Sequence, residues 1–305
     1  MANDFGPFVL GGNVFGWTVQ REDAFRLLDA FVERGGKAID TADVYSVWAP
    51  GATGGDSEKI IGEWLARGAR SRVQIHTKVA KWSAHPGLSA SNIQGAVEGS
   101  LKRLKTDYID LYYAHEDDQK VPQEEYVRAF DSLVKAGKVR KLGASNFTPE
   151  RLASALHVSR SAGLARFEVA QDHYNLIERD FERTLQPLLA TEGVVELPYY
   201  ALASGFLSGK YRPGKAVDSS RAGSAQKHLD KPYAAPLLEA LDQIAAAHNV
   251  SVTAVSLAWL RAQRTVGAPI ASARTLEQLA DLFQSAALKL SGDELGRLAS
   301  ITAPR

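Results

Sequence analysis

Eight short segments rich in aliphatic, aromatic and β-branched residues alternate along the chain with longer segments of helical periodicity. The strand candidates are FVLGG (8–12), KAIDTA (37–42), RVQIHTKV (72–79), DYIDLYYAH (107–115), VRKLGASN (139–146), FEVAQDHY (167–174), VVELPYY (194–200) and GAPIASA (267–273). Strands that alternate with helices in this way predict βαβ units and a parallel sheet.

The segments between the strand candidates read as amphipathic helices. EDAFRLLDAFVERGG places Ala24, Leu27, Leu28 and Phe31 on one face and ends on two glycines, which is the pattern of a core-facing helix with a glycine stop. For the segment DSEKIIGEWLARG we expect Asp56 or Ser57 to cap the helix N-terminus. SASNIQGAVEGSLKRLK, QEEYVRAFDSLVKAGK, TPERLASALHVSRSAG and TLEQLADLFQSAA follow the same period.

Eight such units in 305 residues predict an α/β protein with a closed (β/α)8 fold, the TIM barrel. A doubly wound open sheet is the alternative, but no G-x-G-x-x-G follows any strand candidate. One segment departs from the rhythm, the long polar stretch at 204–232 after the seventh strand, which we expect to act as a binding loop or lid. No linker or repeat divides the chain, so we expect residues 1–305 to form a single barrel domain.

Charge and composition exclude several functional classes. With 36 basic and 35 acidic residues the net charge is +1, so the chain has no field that would attract nucleic acid or anionic membrane. It has no cysteine, which excludes disulfides, thiol catalysis and thiolate metal sites. The uncharged run at 243–260 contains several polar residues and predicts two packed helices broken near Asn249 rather than a membrane span. We find no signal-peptide pattern and expect a cytoplasmic location.

Polar residues recur where the predicted strands end. They are Asp40 with Tyr45 just beyond it, Lys78, His115, Ser145 with Asn146, Gln171 and Tyr199. The carboxyl ends of barrel strands form one rim, where active sites of this fold are built. A charge at such an interior position is costly unless it is paired, and Asp40 and Lys78 lie on adjacent strands where they can pair. We therefore expect these side chains to share one site.

The residue types in this set suit the reduction of a carbonyl group. A tyrosine hydroxyl has a reference pKa of about 10, and we expect the ammonium of Lys78 to lower the pKa of Tyr45 toward neutrality. Asp40 would keep Lys78 charged and in place. His115 would donate a hydrogen bond to a carbonyl oxygen beside Tyr45, so that a proton donor and an oxyanion site face the same substrate atom.

Six motifs, in order and at similar spacing, resemble the aldo-keto reductase family across almost the whole chain. They are AIDTADVYS, IHTKV, IDLYYAHEDD, KLGASNFT, AQDHYN and LPYYALASGFLSGKY. The resemblance implies a (β/α)8 barrel that binds NADP(H) without a Rossmann domain and reduces an aldehyde or ketone to an alcohol, reversibly. It also implies Tyr45 as general acid, Asp40 and Lys78 as its tuning partners, and His115 as the residue that orients the carbonyl.

The same resemblance assigns a cofactor site. Ser145, Asn146 and Gln171 match the residues that hold the nicotinamide carboxamide, and Tyr199 matches the aromatic on which the ring stacks. The family's pyrophosphate-binding segment corresponds to Leu202, Ser204, Gly205, Leu207, Gly209 and Lys210. Arg274 would bind the adenosine 2′-phosphate, and Gln278 would lie near the adenosine.

The chain departs from the family pattern in several places. The N-terminal hairpin that closes the barrel floor looks short, Leu282 replaces an asparagine that often contacts adenine, and Tyr200–Ala201 replaces a common Ser-Pro. The loop at 46–55 carries an additional VWAPGATGG. Three tryptophans follow early strands, and we expect Trp17, Trp48 and Trp82 to wall a substrate pocket, although core or lid packing explains each of them singly.

Three other readings compete with a reductase. A redox-sensing regulatory subunit, similar to the potassium-channel β subunits of the same family, would bind NADP(H) with little turnover. A barrel isomerase or lyase would use Lys78 as a Schiff base. The run His115–Asp118 could bind a metal, but consecutive residues leaving a strand point in different directions and no other cluster completes a shell. We predict no metal, and a small carbonyl compound as the partner.

Overall fold

The computed structural model describes residues 4–215, 217 and 222–303, and within them eight parallel strands form one sheet. The strands are β1 (Val9–Gly11), β2 (Ala38–Asp40), β3 (Gln74–Val79), β4 (Ile109–Ala114), β5 (Val139–Ser145), β6 (Phe167–Gln171), β7 (Val195–Glu196) and β8 (Ile270–Ala271). Every predicted strand segment contains one of them. The strands are shorter than the predicted segments because several polar ends belong to the loops of the rim.

Hydrogen bonds between neighbouring strands close the sheet into a barrel. Each strand pairs in parallel with the next along the chain, and β8 pairs with β1. Between the ends of the sheet, the N–H of Glu196 donates to Thr265 O at 2.8 Å, and the N–H of Ile270 donates to Pro198 O at 2.9 Å. Because these bonds join β7 to the chain entering β8, the backbone has no long open edge, and the predicted (β/α)8 fold is confirmed.

Helices cover the outside of the barrel. In the described residues they are α1 (Arg21–Glu33), α2 (Asp56–Trp64), α3 (Ala90–Leu104), α4 (Gln123–Lys135), α5 (Pro149–Ala162), α6 (Gln186–Glu192), α7 (Ala222–Leu229), α8 (Ala234–His248), α9 (Val252–Arg261), α10 (Leu276–Gln284) and α11 (Gly292–Ile301). The apolar face predicted for α1 is the face that it buries. The predicted break near Asn249 is also present, since Asn249 ends α8 in a left-handed conformation and Ser251 caps α9.

The start of α2 differs from the prediction. Gly55, with φ of +72°, is the N-cap, and Asp56 is already the first helical residue. The hydroxyl of Ser57 does not cap the helix because it donates to Gly12 O at 2.8 Å and accepts from Thr41 Oγ1 at 2.8 Å. These buried bonds join α2 to the rim of β1 and β2, so tertiary contacts rather than local capping decide where the helix begins.

Two apolar cores are separated by the wall of the barrel. The outer core lies between strands and helices and contains large residues such as Phe8, Phe31 and Trp259. The inner core fills the barrel with residues that include Val9, Leu111 and Val169. Phe5 enters the bottom of the barrel and packs edge-on against His76, with ring centroids 5.5 Å apart. The short N-terminal segment therefore still closes the floor of the barrel.

The connection from β7 to α8 contains more structure than the predicted polar loop. A 3-10 helix spans Ala203–Ser208, and α7 precedes α8, whereas residues 216 and 218–221 of the predicted loop lie outside the described residues. In the part of the chain that the structure describes, no helix has the length and apolar character needed to cross a membrane.

Candidate active site

A cavity of about 750 Å³ opens at the carboxyl end of the barrel. The predicted site residues that line it are Asp40, Tyr45, His115, Ser145, Asn146, Gln171, Tyr199, Leu202, Ser204, Gly205, Lys210, Arg274 and Gln278, with Trp17 and Trp48. These residues come from the ends of β2, β4, β5 and β6 and from the chain after β1, β2, β7 and β8. The barrel thus brings together residues that are far apart in sequence.

Lys78 and Asp40 form an ion pair beneath the cavity floor. The Nζ of Lys78 donates to Asp40 Oδ2 at 2.6 Å and to Thr41 O at 2.7 Å, and the lysine is completely buried. Gln171 donates to the other oxygen of Asp40 at 3.0 Å. A buried charge pair is stable only when its remaining donors and acceptors are satisfied. Here β2, β3 and the more distant β6 supply the partners, so the pair is held by hydrogen bonds from several parts of the barrel.

Tyr45 lies over this pair, with its hydroxyl 3.5 Å from Lys78 Nζ. The ammonium also lies 5.0 Å from the centre of the Tyr45 ring. Tyr45 is only partly buried, since it faces the cavity on one side and the lysine on the other. A proton donor is therefore accessible to a molecule bound in the cavity while a cation stands behind it.

The pKa of Tyr45 does not follow the expectation of a lowered value. Burial raises the pKa of its hydroxyl well above the usual value, and the negative charge of Asp40 raises it further. The closest contacts of Lys78 are with Asp40 and the Thr41 carbonyl, and these negative groups offset most of its electrostatic effect on the Tyr45 hydroxyl. Burial likewise lowers the pKa of Lys78, against the opposing effect of Asp40. Tyr45 therefore carries its proton at neutral pH.

His115 faces the same part of the cavity from the end of β4. Its ring lies 6.0 Å from that of Tyr45, centre to centre. Burial lowers the pKa of His115 well below the usual value, and the charges of Lys78 and Lys81 act in the same direction. The imidazole is consequently neutral at pH 7 and has one N–H to donate.

Asn146 connects three strand ends on the opposite side of the cavity. Its Nδ2 donates to His115 O at 2.9 Å and to Ser145 Oγ at 2.8 Å, and its Oδ1 accepts from the Tyr199 hydroxyl at 2.8 Å. The backbone of Asn146 is left-handed, with φ of +57°. Tyr199 is half-buried and presents part of its ring to the cavity. Amide and hydroxyl groups thus surround a flat space beside an aromatic ring.

The cavity wall also contains two cations and several small residues. Lys210 and Arg274 both line the cavity, as do Ser204, Gly205 and Ser272. Gly205 has φ of +98°, a conformation that a residue with a side chain rarely adopts. Gln278 accepts the backbone N–H of Arg274 at 2.9 Å and so fixes the turn before α10. Cationic forks, hydroxyls and close-approaching backbone are suited to anionic oxygens.

These features fit a nicotinamide dinucleotide phosphate. The lining combines an aromatic face, amides, two cations and small residues within one cavity. Leu282, which replaces the asparagine that often contacts adenine in the family, also lines the cavity. Two residues of the predicted pyrophosphate segment are not lining residues in the described chain. Leu207 is fully buried in the outer core, and Gly209 packs against Val252.

The three tryptophans have different surroundings. Trp17 and Trp48 line the cavity and meet edge-on at 6.2 Å between ring centres, and Trp48 packs at 5.4 Å against Tyr45. Trp82 is not a lining residue of the described cavity. Its Nε1 donates to Thr53 O at 3.0 Å, and Arg103 lies over its ring. In this structure Trp82 contacts the 53–54 loop, and its place in a substrate pocket stays a prediction.

The side chains of residues 115–118, which follow β4, point in different directions, as expected for consecutive loop residues. Glu116 pairs with Lys81, Asp117 forms two hydrogen bonds with Arg151, and Asp118 accepts the backbone N–H of Leu88 at 2.9 Å. Only His115 turns toward the cavity. The four side chains therefore do not converge on a common point.

Several lining residues were absent from the sequence prediction. They include Asn13, Thr18, Lys81, Tyr200, Ser272 and Asp281. Ser272 donates to Asn13 Oδ1 at 2.7 Å, across 259 positions of sequence. A signal existed for Asn13, since it directly follows the first predicted strand, but a lone asparagine after glycines reads as an ordinary turn residue.

Comparison with known proteins gives a consistent result. The model of the Aldo/keto reductase family matches residues 7–303. An uncharacterized oxidoreductase, YrpG, of Bacillus subtilis (strain 168) is 33% identical, over 96% of this chain and 90% of its own length. The norsolorinic acid reductase stcV of Emericella nidulans is 34% identical, over 95% of this chain and 76% of its own length. A putative aryl-alcohol dehydrogenase, AAD14, of Saccharomyces cerevisiae is 32% identical, over 97% and 82% respectively.

Proposed function

Because the chain belongs to the aldo/keto reductase family, we propose that it reduces an aldehyde or ketone to an alcohol with NADPH, reversibly. The observation that carries the proposal is the position of the Tyr45 hydroxyl. It lies 3.5 Å from the buried ammonium of Lys78 and faces a cavity large enough for a dinucleotide and a substrate.

Tyr45 would act as the general acid. Its raised pKa keeps the hydroxyl protonated at neutral pH, which is the state that can donate to a substrate oxygen. As the proton leaves, the nascent phenolate gains stabilisation from Lys78, whose charge is held in place by Asp40. The cation therefore favours the charge that develops during reaction, even though burial opposes that charge at rest.

His115 would orient the carbonyl group. A neutral imidazole donates one hydrogen bond without giving up its proton, and His115 is neutral because burial and two lysines lower its pKa. A carbonyl oxygen placed between His115 and Tyr45 would accept from both. This arrangement would direct the carbonyl carbon toward the ring site beside Tyr199.

Ser145, Asn146, Gln171 and Tyr199 would hold the nicotinamide, and the segment from Leu202 to Lys210 would hold the pyrophosphate. When bound, the nicotinamide supplies the hydride that the protein itself lacks. Arg274 would bind the 2′-phosphate, since a guanidinium suits a phosphate in both charge and shape. The half-buried position of Arg274 at the cavity wall supports that assignment.

The aromatic wall suggests where to look for substrates. Trp17, Trp48 and Tyr45 form a continuous edge-to-face cluster at the mouth, and aromatic groups favour such surroundings. Two of the relatives are a norsolorinic acid reductase and a putative aryl-alcohol dehydrogenase. We therefore propose aromatic aldehydes and ketones as the first class to assay.

Turnover and binding measured together test the proposal. When purified protein is mixed with NADPH and 4-nitrobenzaldehyde, the absorbance of NADPH at 340 nm should fall. Product analysis should identify the corresponding alcohol. Tight NADPH binding without turnover on a broad carbonyl panel would favour the redox-sensing alternative instead. Trapping of a Lys78 adduct by borohydride would favour the Schiff-base alternative. Failure to bind NADPH at all would contradict both the reductase proposal and the redox-sensing alternative.

A further inference from the structure

Two acidic residues near Tyr199, Asp172 and Glu196, are joined by a hydrogen bond. Asp172 directly follows β6, and Glu196 ends β7. Glu196 is fully buried, and its Oε1 accepts the backbone N–H of Asp172 at 2.8 Å. Its other oxygen, Oε2, has no hydrogen-bond partner among the described residues. A buried carboxylate oxygen without a donor is costly, whereas a protonated oxygen can itself donate to a neighbouring carboxylate.

A short chain of hydrogen bonds leads from this pair to the cofactor site. Asp172 Oδ1 accepts the backbone N–H of Asn146 at 3.1 Å, and Asp172 O accepts the backbone N–H of Tyr199 at 3.0 Å. Asn146 is the left-handed residue whose amide joins His115, Ser145 and Tyr199. Because Asp172 accepts hydrogen bonds from the backbone N–H groups of both residues, it is placed to hold both Asn146 and the chain that carries Tyr199.

The electrostatic surroundings favour a shared proton. In the part of the chain that the structure describes, neither carboxyl forms an ion pair with a lysine or arginine. The titratable groups that face them from neighbouring segments are the phenols of Tyr113, Tyr174 and Tyr199. Burial raises the pKa of Asp172 to about 7, and burial together with the charge of Asp172 raises the pKa of Glu196 well above its usual value. Two such groups lose their protons in separate macroscopic steps.

We propose that Asp172 and Glu196 are positioning residues that share one proton, hold Asn146 in place, and set the relative affinity of the site for oxidised and reduced nicotinamide. The proposal rests on the cofactor assignment made above. Neither residue touches the reacting atoms. Both act through Asn146 and through the electrostatic potential beside Tyr199.

The direction of the effect follows from charge. The oxidised nicotinamide ring is cationic and the reduced ring is neutral, so an additional negative charge nearby stabilises the oxidised form. When the pair loses its shared proton at alkaline pH, binding of NADP⁺ should strengthen relative to binding of NADPH. For partly screened charges at this depth we expect a change of about threefold to tenfold in the ratio of the two dissociation constants. The 2′-phosphate is common to both forms, so its own ionisation cancels from the ratio.

The test is a fluorescence titration of NADPH and NADP⁺ at intervals from pH 6.5 to 9.5, without substrate. In the wild-type protein the ratio of Kd for NADPH to Kd for NADP⁺ should rise with pH. Glu196→Gln removes the partner carboxyl at nearly constant shape, so only Asp172 still titrates. The ratio should then rise only near pH 7 and stay flat at more alkaline pH, where the wild-type ratio continues to rise. Asp172→Asn, as a second variant, should move the rise to lower pH, because it removes the charge that adds to the effect of burial on the pKa of Glu196.

Controls separate this pair from other groups. Glu168→Gln, an exposed position on β6 that faces Lys141, should keep the wild-type profile. Asp43→Asn should also keep it, although burial raises the pKa of Asp43 to about 8 and it titrates in the same window. ¹³C NMR of labelled carboxyl groups in the unmutated protein should show two carbons whose chemical shifts both respond to the same macroscopic steps above pH 6.

The outcomes are distinct. A flat ratio in the wild-type protein, or an unchanged rise in folded Glu196→Gln, overturns the inference while leaving the reductase proposal intact. Equal weakening of both nucleotides at every pH would also overturn it, because a purely structural role predicts that result. Absence of NADP(H) binding in the wild-type protein would instead contradict the cofactor proposal itself.

Discussion

Lys78 and Asp40 form a buried ion pair with 2.6 Å between Nζ and Oδ2, at the base of the candidate active site. Neither side chain reaches solvent to a meaningful extent, at 0% and 3% exposure. Removing one partner from such a pair leaves an uncompensated charge in the barrel. Removing both leaves only polar groups that can be satisfied locally.

We therefore expect Lys78→Met to destabilise the protein by about 3–5 kcal/mol. The double variant Lys78→Met/Asp40→Asn should recover part of that loss, because the carboxylate charge is gone and Gln171 can still donate to the remaining oxygen. Urea unfolding of the two variants and the wild-type protein measures the difference. If the free energy of unfolding of the double variant is lower than that of the single variant, the two effects add and the side chains are not coupled as an ion pair.

Tyr45→Phe should abolish turnover with little effect on cofactor binding. We expect kcat to fall by about 10³-fold or more, since the general acid is lost, whereas the Kd for NADPH should change less than about twofold. Tyr108→Phe is the matched control, because Tyr108 lies between Arg70 and Arg140 outside the cavity and its ring contacts remain. Activity of Tyr45→Phe close to that of the control would contradict the role of Tyr45.

Arg274→Ala should separate the two nicotinamide cofactors. Loss of a charge-assisted contact with the 2′-phosphate should raise the Kd for NADPH by about tenfold or more, while the Kd for NADH changes little. Arg274→Lys should retain part of the affinity for NADPH because it keeps the charge but loses the fork. Both constants follow from quenching titrations, and equal losses for the two nucleotides would show that Arg274 acts on the fold rather than on the phosphate.

His76 should make the stability of the protein depend on pH below neutrality. It is fully buried inside the barrel, both ring nitrogens lack partners among the described residues, and burial lowers its pKa to about 3. The unfolded chain binds a proton at this residue below about pH 6.5, but the folded protein does so only near pH 3. Stability is therefore lost as pH falls through that window, by up to about 1.4 kcal/mol per pH unit.

His76→Leu removes this dependence. The difference in free energy of unfolding between the variant and the wild-type protein should shift in favour of the variant as pH falls from 6.5 to 4. Other groups cancel from the comparison because both proteins share them. A difference that stays constant with pH would mean that His76 titrates normally in the folded state.

The order of the elements and the rim of polar residues were predictable from the chain alone. Strand and helix periods differ, so the alternation was visible, and a parallel barrel places every strand end on one rim. That rule was sufficient to bring Asp40, Lys78 and His115 together. It could not place Trp82 or Leu207, because the direction of a side chain in a loop depends on the contacts that the loop finds. It also could not find the capping role of Gly55.

What the sequence by itself determined was the fold and the identity of the groups at its open end, since periodicity and strand order leave few other arrangements. What only the tertiary structure decided was how those groups behave. The pKa of Tyr45 is raised rather than lowered because its hydroxyl is buried and because the negative charge of Asp40 lies nearby. Asp172 and Glu196, 24 positions apart, become one carboxyl pair because β6 and β7 are neighbours. Burial and proximity set the energy of a charge, and both exist only once the barrel has closed.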